Sequence, residues 1–118
     1  MLRAFLRAKV HRATVTHVDI GYEGSLSLDE DLLEAAGLRP YERIEVWNVT
    51  NGKRFTTYLL SGQRGSRAVG VFGAAGHKVA VGDVVIIAAY GYMDEAEMEG
   101  FAPRVVLMGE GNRIAGVK

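Results

Sequence analysis

The chain has 118 residues, the size of one domain, and sets 14 Lys and Arg against 14 Asp and Glu for a formal net charge of zero. That balance argues against nucleic acid and anionic membranes as partners, and no run of like charge forms a tail. There is no cysteine, which excludes disulfides, thiolate catalysis and cysteine–zinc sites.

The opening segment Met1–Lys9 is interrupted by Arg3, Arg7 and Lys9. It lacks the uninterrupted apolar core of a signal peptide, and no stretch approaches the ~20 apolar residues of a membrane span. The expectation is a soluble, cytoplasmic protein. Gly is abundant, at 15, and Pro scarce, at 2. Together with many β-branched residues, this predicts short strands joined by tight turns.

Ala8–Asp19 is rich in β-branched residues and predicts one or two strands. A polar turn, Asp19 to Ser25, follows. Ser27-Leu28-Asp29-Glu30 has the form of a capping box. It predicts a helix over Asp31–Ala36 that buries Leu32, Leu33 and Ala36, with Gly37 as a left-handed C-cap. Arg43–Val49 predicts a strand with Ile44, Val46 and Asn48 on one face. Asn51-Gly52 is a hairpin signal, and Lys53–Leu60 is the returning strand. Val69–Phe72 predicts a short strand, Gly73–Gly76 a turn of small residues, and Val84–Ala89 a buried strand. Met93–Met98 predicts one helical turn and Arg104–Met108 a strand. Gly109–Lys118 reads as loosely ordered. Residues 1–118 therefore form a single domain, mainly β, a compact β-barrel with one or two short helices.

Three blocks stand at fixed distances: Tyr22-Glu23-Gly24-Ser25, Trp47 through Tyr58, and Gly73-Ala74-Ala75, with Lys9-Val10-His11-Arg12 upstream. At this spacing the chain, from Met1 to about Ala89, resembles the aspartate 1-decarboxylase family. The resemblance implies a double-psi β-barrel and a homotetramer with sites between subunits. It implies conversion of L-aspartate to β-alanine and carbon dioxide, for pantothenate and coenzyme A synthesis. It also implies self-cleavage between Gly24 and Ser25 into a 1–24 β-chain and a 25–118 α-chain. Ser25 would become a covalent pyruvoyl cofactor, in place of pyridoxal phosphate, and form a Schiff base with the substrate. Whether a helper protein assists maturation is left open.

The chemistry asks particular things of these residues. An unactivated serine hydroxyl is a weak nucleophile, but the Gly24 carbonyl lies in the same chain, so proximity replaces a collision. Gly24 has no side chain to block approach and tolerates unusual backbone angles. By the resemblance, Thr57 donates to the developing oxyanion. Arg54 suits a carboxylate clamp, since guanidinium pairs with carboxylate in bidentate form, and Lys9 is a second cation. Two cationic anchors favour aspartate over a monoamine. Tyr58, a phenol protonated at neutral pH, is the proton donor implied. Backbone amides of Gly73, Ala74 and Ala75 are free to approach the substrate. His11 and Tyr22 are candidates to support the cleavage loop, and Trp47 to wall the pocket. His11, His17 and His77 form no metal motif, so no metal is expected.

Two tensions remain. Strand alternation puts Arg54, Thr56 and Tyr58 on one face and Thr57 on the other. Either the strand bends, or the site draws on two subunits. The family commonly has Asn where this chain has Phe72. That replacement favours an alternative, a non-catalytic β-barrel binding module that has lost self-processing. A DNA-binding barrel is disfavoured by the absence of a basic stripe.

Overall fold

The computed structural model describes all 118 residues, Met1–Lys118. The fold is mainly β. Nine strands join in one mixed sheet: β1 (Arg3–Thr14), β2 (His17–Asp19), β3 (Leu26–Asp29), β4 (Arg43–Asn48), β5 (Arg54–Gly62), β6 (Val69–Phe72), β7 (Val84–Met93), β8 (Arg104–Met108) and β9 (Ile114–Val117). Their order is β2-β6-β3-β5-β4-β7-β1-β8-β9. Two short helices, α1 (Glu30–Ala36) and α2 (Glu95–Met98), and a 3-10 turn over Gly73–Lys78 complete it.

The ladders alternate side chains between a core face and an outer face. Ile44, Val46 and Asn48 of β4 point inward, as their spacing predicts. Ile44 and Val46 meet Val85 and Ile87 of β7, Val10 and Ala13 of β1, and Leu59 of β5 in one cluster of buried side chains. Burying each of the Leu, Ile and Val side chains contributes about 1.5–3 kcal/mol. The end of β1 is tied to distant strands. Val15 N–H donates to the Asp83 carbonyl at 2.9 Å, and Thr16 N–H to the Val69 carbonyl at 2.8 Å.

Asn48 shapes the β4–β5 hairpin. Its amide nitrogen donates to the Lys78 carbonyl and to Asp83, and its oxygen accepts from the Thr50 and Asn51 N–H groups. All its polar capacity is used while the residue is buried. The connection therefore runs over residues 49–53, longer than a two-residue turn. Gly52, at φ +78°, takes the left-handed position.

Three local expectations are corrected. Residues Leu26–Asp29 are drawn into a strand between β5 and β6, so Ser27 cannot cap a helix. Asp29 is the N-cap of α1, accepting from Asp31 N–H at 2.8 Å. The segment Gly109–Lys118 is ordered. Ile114–Val117 pairs with β8, and the buried Asn112 side chain exchanges two bonds with the Thr14 backbone. Strand β7 continues past Ala89 to Met93 because β1, starting at Arg3, gives it a partner throughout. Gly37 is left-handed at φ +69°, as expected of this C-cap.

Candidate active site

The Gly24–Ser25 bond lies at the entrance to β3. Asp19 shapes the approach, accepting from Gly21 N–H at 3.0 Å. Gly24 has φ +145°, a conformation open only to glycine. Ser25 is 1 % exposed, and its Oγ has no hydrogen-bond partner. An unmatched buried hydroxyl costs about 1–3 kcal/mol, and Ser25 shares this state with His11 Nδ1 and Trp47 Nε1. The Ser25 carbonyl accepts from Phe72 N–H at 2.7 Å.

The 3-10 turn brings Gly73 under the same bond. At φ +72°, a Cβ on Gly73 would stand 3.3 Å from the Gly24 carbonyl oxygen and 3.3 Å from that of Tyr22. Beside it opens a cleft of about 310 Å³ lined by Gly24, Phe55, Thr56, Thr57, Ala74, Ala75 and Lys78. Lys78 is the one charged residue in that lining, and no sequence motif pointed to it. Strand β3 runs parallel to β5, with Leu26 opposite Leu59. Extending that register by one and two residues sets Ser25 beside Tyr58 and Gly24 beside Thr57. The chain thus gathers Gly24, Thr57, Gly73, Ala74 and Ala75 in one neighbourhood with the adjoining Ser25, while the exposed Tyr58 ring lies on Tyr41.

The remaining candidates lie elsewhere. Arg54 is four residues from Tyr58, about 13 Å along the strand. Its guanidinium sits 4.9 Å from the centre of the Trp47 ring on β4, and so leans away from β3. The Trp47 Nε1 is buried without a partner. One row across the sheet reads Lys9, Ala88, Glu45, Thr56, which places Lys9 three strands from β5, about 14 Å along the sheet. His11 shares the Lys9 face, next to a bulge where Arg12 takes φ +68°. Its Nδ1 is buried and unpaired. Burial, ahead of the charges on Lys9, Arg12 and Lys118, pushes its imidazole below the ordinary value. Tyr22 meets Phe72, ring centres 5.5 Å apart, and the Tyr58 ring stacks on Tyr41 at 6.5 Å. Strand β5 keeps an unbroken register with β4 from Arg54 to Tyr58. Exposed and half-covered residues alternate from Arg54 to Tyr58, so the two faces stay distinct.

The fold is small and mainly β, with a buried, unmatched serine beside a cleft lined by two threonines and a lysine. The family model for aspartate decarboxylase matches residues 1–115. A protein of Ralstonia pickettii (strain 12J) named aspartate 1-decarboxylase is 53% identical over 118 residues, covering 100% of this chain and 98% of its own. Aspartate 1-decarboxylases of Ralstonia nicotianae and Burkholderia vietnamiensis are 52% and 51% identical, over 100% and 98% of this chain and 98% and 91% of theirs. The chain belongs to the aspartate decarboxylase family.

Proposed function

We propose that this protein decarboxylates L-aspartate to β-alanine with a pyruvoyl group made from its own Ser25. The observation that carries the proposal is Ser25 itself, buried and unpaired behind a glycine at φ +145°. Ser25 Oγ attacks the Gly24 carbonyl, and Thr57 donates to the oxyanion that forms. The chain shifts from amide to ester. Loss of the Ser25 α-proton and of the Gly24 carboxylate then cuts the chain, and hydrolysis releases ammonia. The product fragments are 1–24 and 25–118.

The residues present fit the pyruvoyl group. Its precursor is buried, the bare Gly73 backbone lies under the cut bond, and the cleft opens beside it. Such a group supplies a ketone that captures the substrate amine and draws off the electrons released with carbon dioxide. Around it, the Gly73, Ala74 and Ala75 backbone flanks the substrate. Arg54 holds one substrate carboxylate, kept rigid by Trp47, and Lys9 adds a second cation. Tyr58 returns a proton to the α-carbon.

Arg54 and Lys9 stand away from Ser25 within one chain, so the reading includes a homotetramer with each site shared between subunits. Exposed Tyr41, Tyr58, Tyr90 and Tyr92 on the surface support such contacts. Closure into a double-psi barrel is part of the same reading, supported by the Val15 and Thr16 bonds that bridge distant strands. So is a cytoplasmic location. No helix is long and apolar enough to cross a membrane.

The deciding experiment is intact mass under denaturing conditions. Two fragments, the larger with a pyruvoyl-blocked N-terminus, are expected. A chain that stays whole after prolonged warming would mean either that a maturation helper is missing or that the binding-module alternative is promoted.

A further inference from the structure

Phe72 touches the cut site at three points. Its N–H donates to the Ser25 carbonyl at 2.7 Å. Its side chain lies against Gly24, where an added Cβ would stand 3.3 Å from Phe72 Cβ and 3.7 Å from Cδ2. Its ring meets Tyr22 at 5.5 Å, tilted by 56°. The ring tip rests on Gly70. A Cβ there would stand 2.7 Å from Cζ and 2.8 Å from Cε2, closer than real atoms approach.

Gly70 is in the middle of β6, paired with His17 on one side and Ser27 on the other. Its φ is not in the left-handed range, so its backbone conformation is open to any residue. A glycine inside a strand forgoes side-chain packing and marks a close approach. Here the thing that approaches is the Phe72 ring.

We infer that Phe72 is a positioning residue for the Gly24–Ser25 bond, and that Gly70 is the seat that lets its ring reach that position. Gly24 has no side chain of its own to hold it. The Phe72 side chain and Leu60 Cδ1, 3.3 Å and 3.4 Å from the Gly24 Cβ position, both pack against it and restrict its movement. Ser25 Oγ has no hydrogen bond to aim it, so attack depends on the backbone being held within reach. The inference rests on the self-cleavage reading and deepens it. A change that displaces the ring should slow cleavage even though neither Gly70 nor Phe72 takes part in bond making.

The test is a double-mutant cycle on cleavage rate: the unaltered chain, Gly70→Ala, Phe72→Ala and both changes together. Freshly made precursor is incubated and its fragments followed by denaturing mass spectrometry, with folding checked by circular dichroism. Each single change should slow cleavage at least tenfold. Once Phe72 is alanine, Gly70→Ala should slow it no further, because no ring remains to displace. Phe72→Leu in the Gly70→Ala chain should restore part of the rate, since leucine keeps contacts at Gly24 and clears position 70.

If Gly70→Ala slows cleavage by the same factor in both backgrounds, it acts by general damage and the inference falls. An unchanged rate in Phe72→Ala also overturns it. Should Gly70→Ala fail to fold, the comparison of Phe72→Ala with Phe72→Leu decides. A slower alanine variant supports the inference, and equal rates sink it. An unaltered chain that never cleaves, either purified or in cell lysate that would supply a maturation helper, refutes the self-cleavage reading, and the inference with it. Cleavage of that chain beside an unaffected Phe72→Ala refutes the inference alone.

Discussion

Replacing Gly73 with alanine separates two costs that usually travel together. At φ +72°, an L-residue is strained by about 1–2 kcal/mol. Its new Cβ would also press on the scissile unit, 3.3 Å from both the Gly24 and Tyr22 carbonyl oxygens. At that distance the loop must yield by a few tenths of an ångström. A 1 Å misplacement can cost about 100-fold in rate, so a few tenths should cost about 3- to 10-fold. Gly100→Ala supplies the control. Gly100 has φ +78° and nothing within 4 Å, so it carries the strain without the contact. In a Ser25→Ala background, which cannot cleave itself, urea unfolding should show both substitutions destabilising by about 1–2 kcal/mol. Cleavage, followed by mass, should slow only in Gly73→Ala. Equal cleavage rates in the two variants would refute the claim that Gly73 sets the position of the scissile carbonyl.

Other residues give sharper tests of single roles. Tyr58→Phe should leave folding and cleavage intact and lower kcat for aspartate by about 100-fold, the usual scale of a lost general acid; unchanged turnover would remove Tyr58 from the reaction. Arg54→Lys keeps the charge but loses the bidentate fork and its fit over Trp47, and should raise KM for aspartate about tenfold. Asp29→Ala should cost about 2–3 kcal/mol in urea unfolding of the uncut chain, because the carboxylate accepts from the Asp31, Gly65 and Arg67 N–H groups. Burial raises the Asp29 pKa, but those three bonds and the Arg64 charge outweigh it, so the folded value is lowered. Its contribution is therefore complete above the unfolded value of about 3.9 and falls away as pH drops through the lower folded one. Below pH 4 or so the gap between Asp29→Ala and the unaltered chain should narrow.

Where local chemistry was decisive, the sequence was readable. Gly37 ends α1 in the left-handed conformation, the alternation of Ile44, Val46 and Asn48 marks the core face, and Asn51-Gly52 turns the hairpin. Where a distant strand decided, it was not. Ser27 looked like a cap until β5 and β6 claimed it for a strand. The tail looked loose because nothing in Ile114–Val117 reveals that β8 offers an edge. The site followed the same rule. Gly24, Ser25, Thr57 and Gly73 were visible as a motif. Lys78 and Gly70 were not, because a lone lysine and a lone glycine acquire meaning only from what the fold sets against them.

Division of the site between two subunits can be tested without knowing the assembly's shape. Ser25 precedes the Leu26–Leu59 pair of β3 and β5, whereas Arg54 leans from β5 across to Trp47 on β4, away from β3. If one chain built a whole site, a Ser25→Ala chain and an Arg54→Ala chain would each be impaired, and co-expression would add nothing. If each site takes Ser25 from one chain and Arg54 from its neighbour, mixing creates some sites with both. Random mixing in a closed, symmetric ring of equivalent contacts restores about one quarter of the sites. Co-expressed Ser25→Ala and Arg54→Ala should therefore recover about 25% of full activity at low aspartate, well above either alone. Ser25→Ala cannot cleave itself, so fragment counts report the mixing ratio in the same sample. Activity no higher than the sum of the separate variants, at a confirmed equal ratio, would return Arg54 to the site of its own chain. Arg54 and Thr57 would then have to serve one site from the two faces that the alternating exposure of β5 keeps apart.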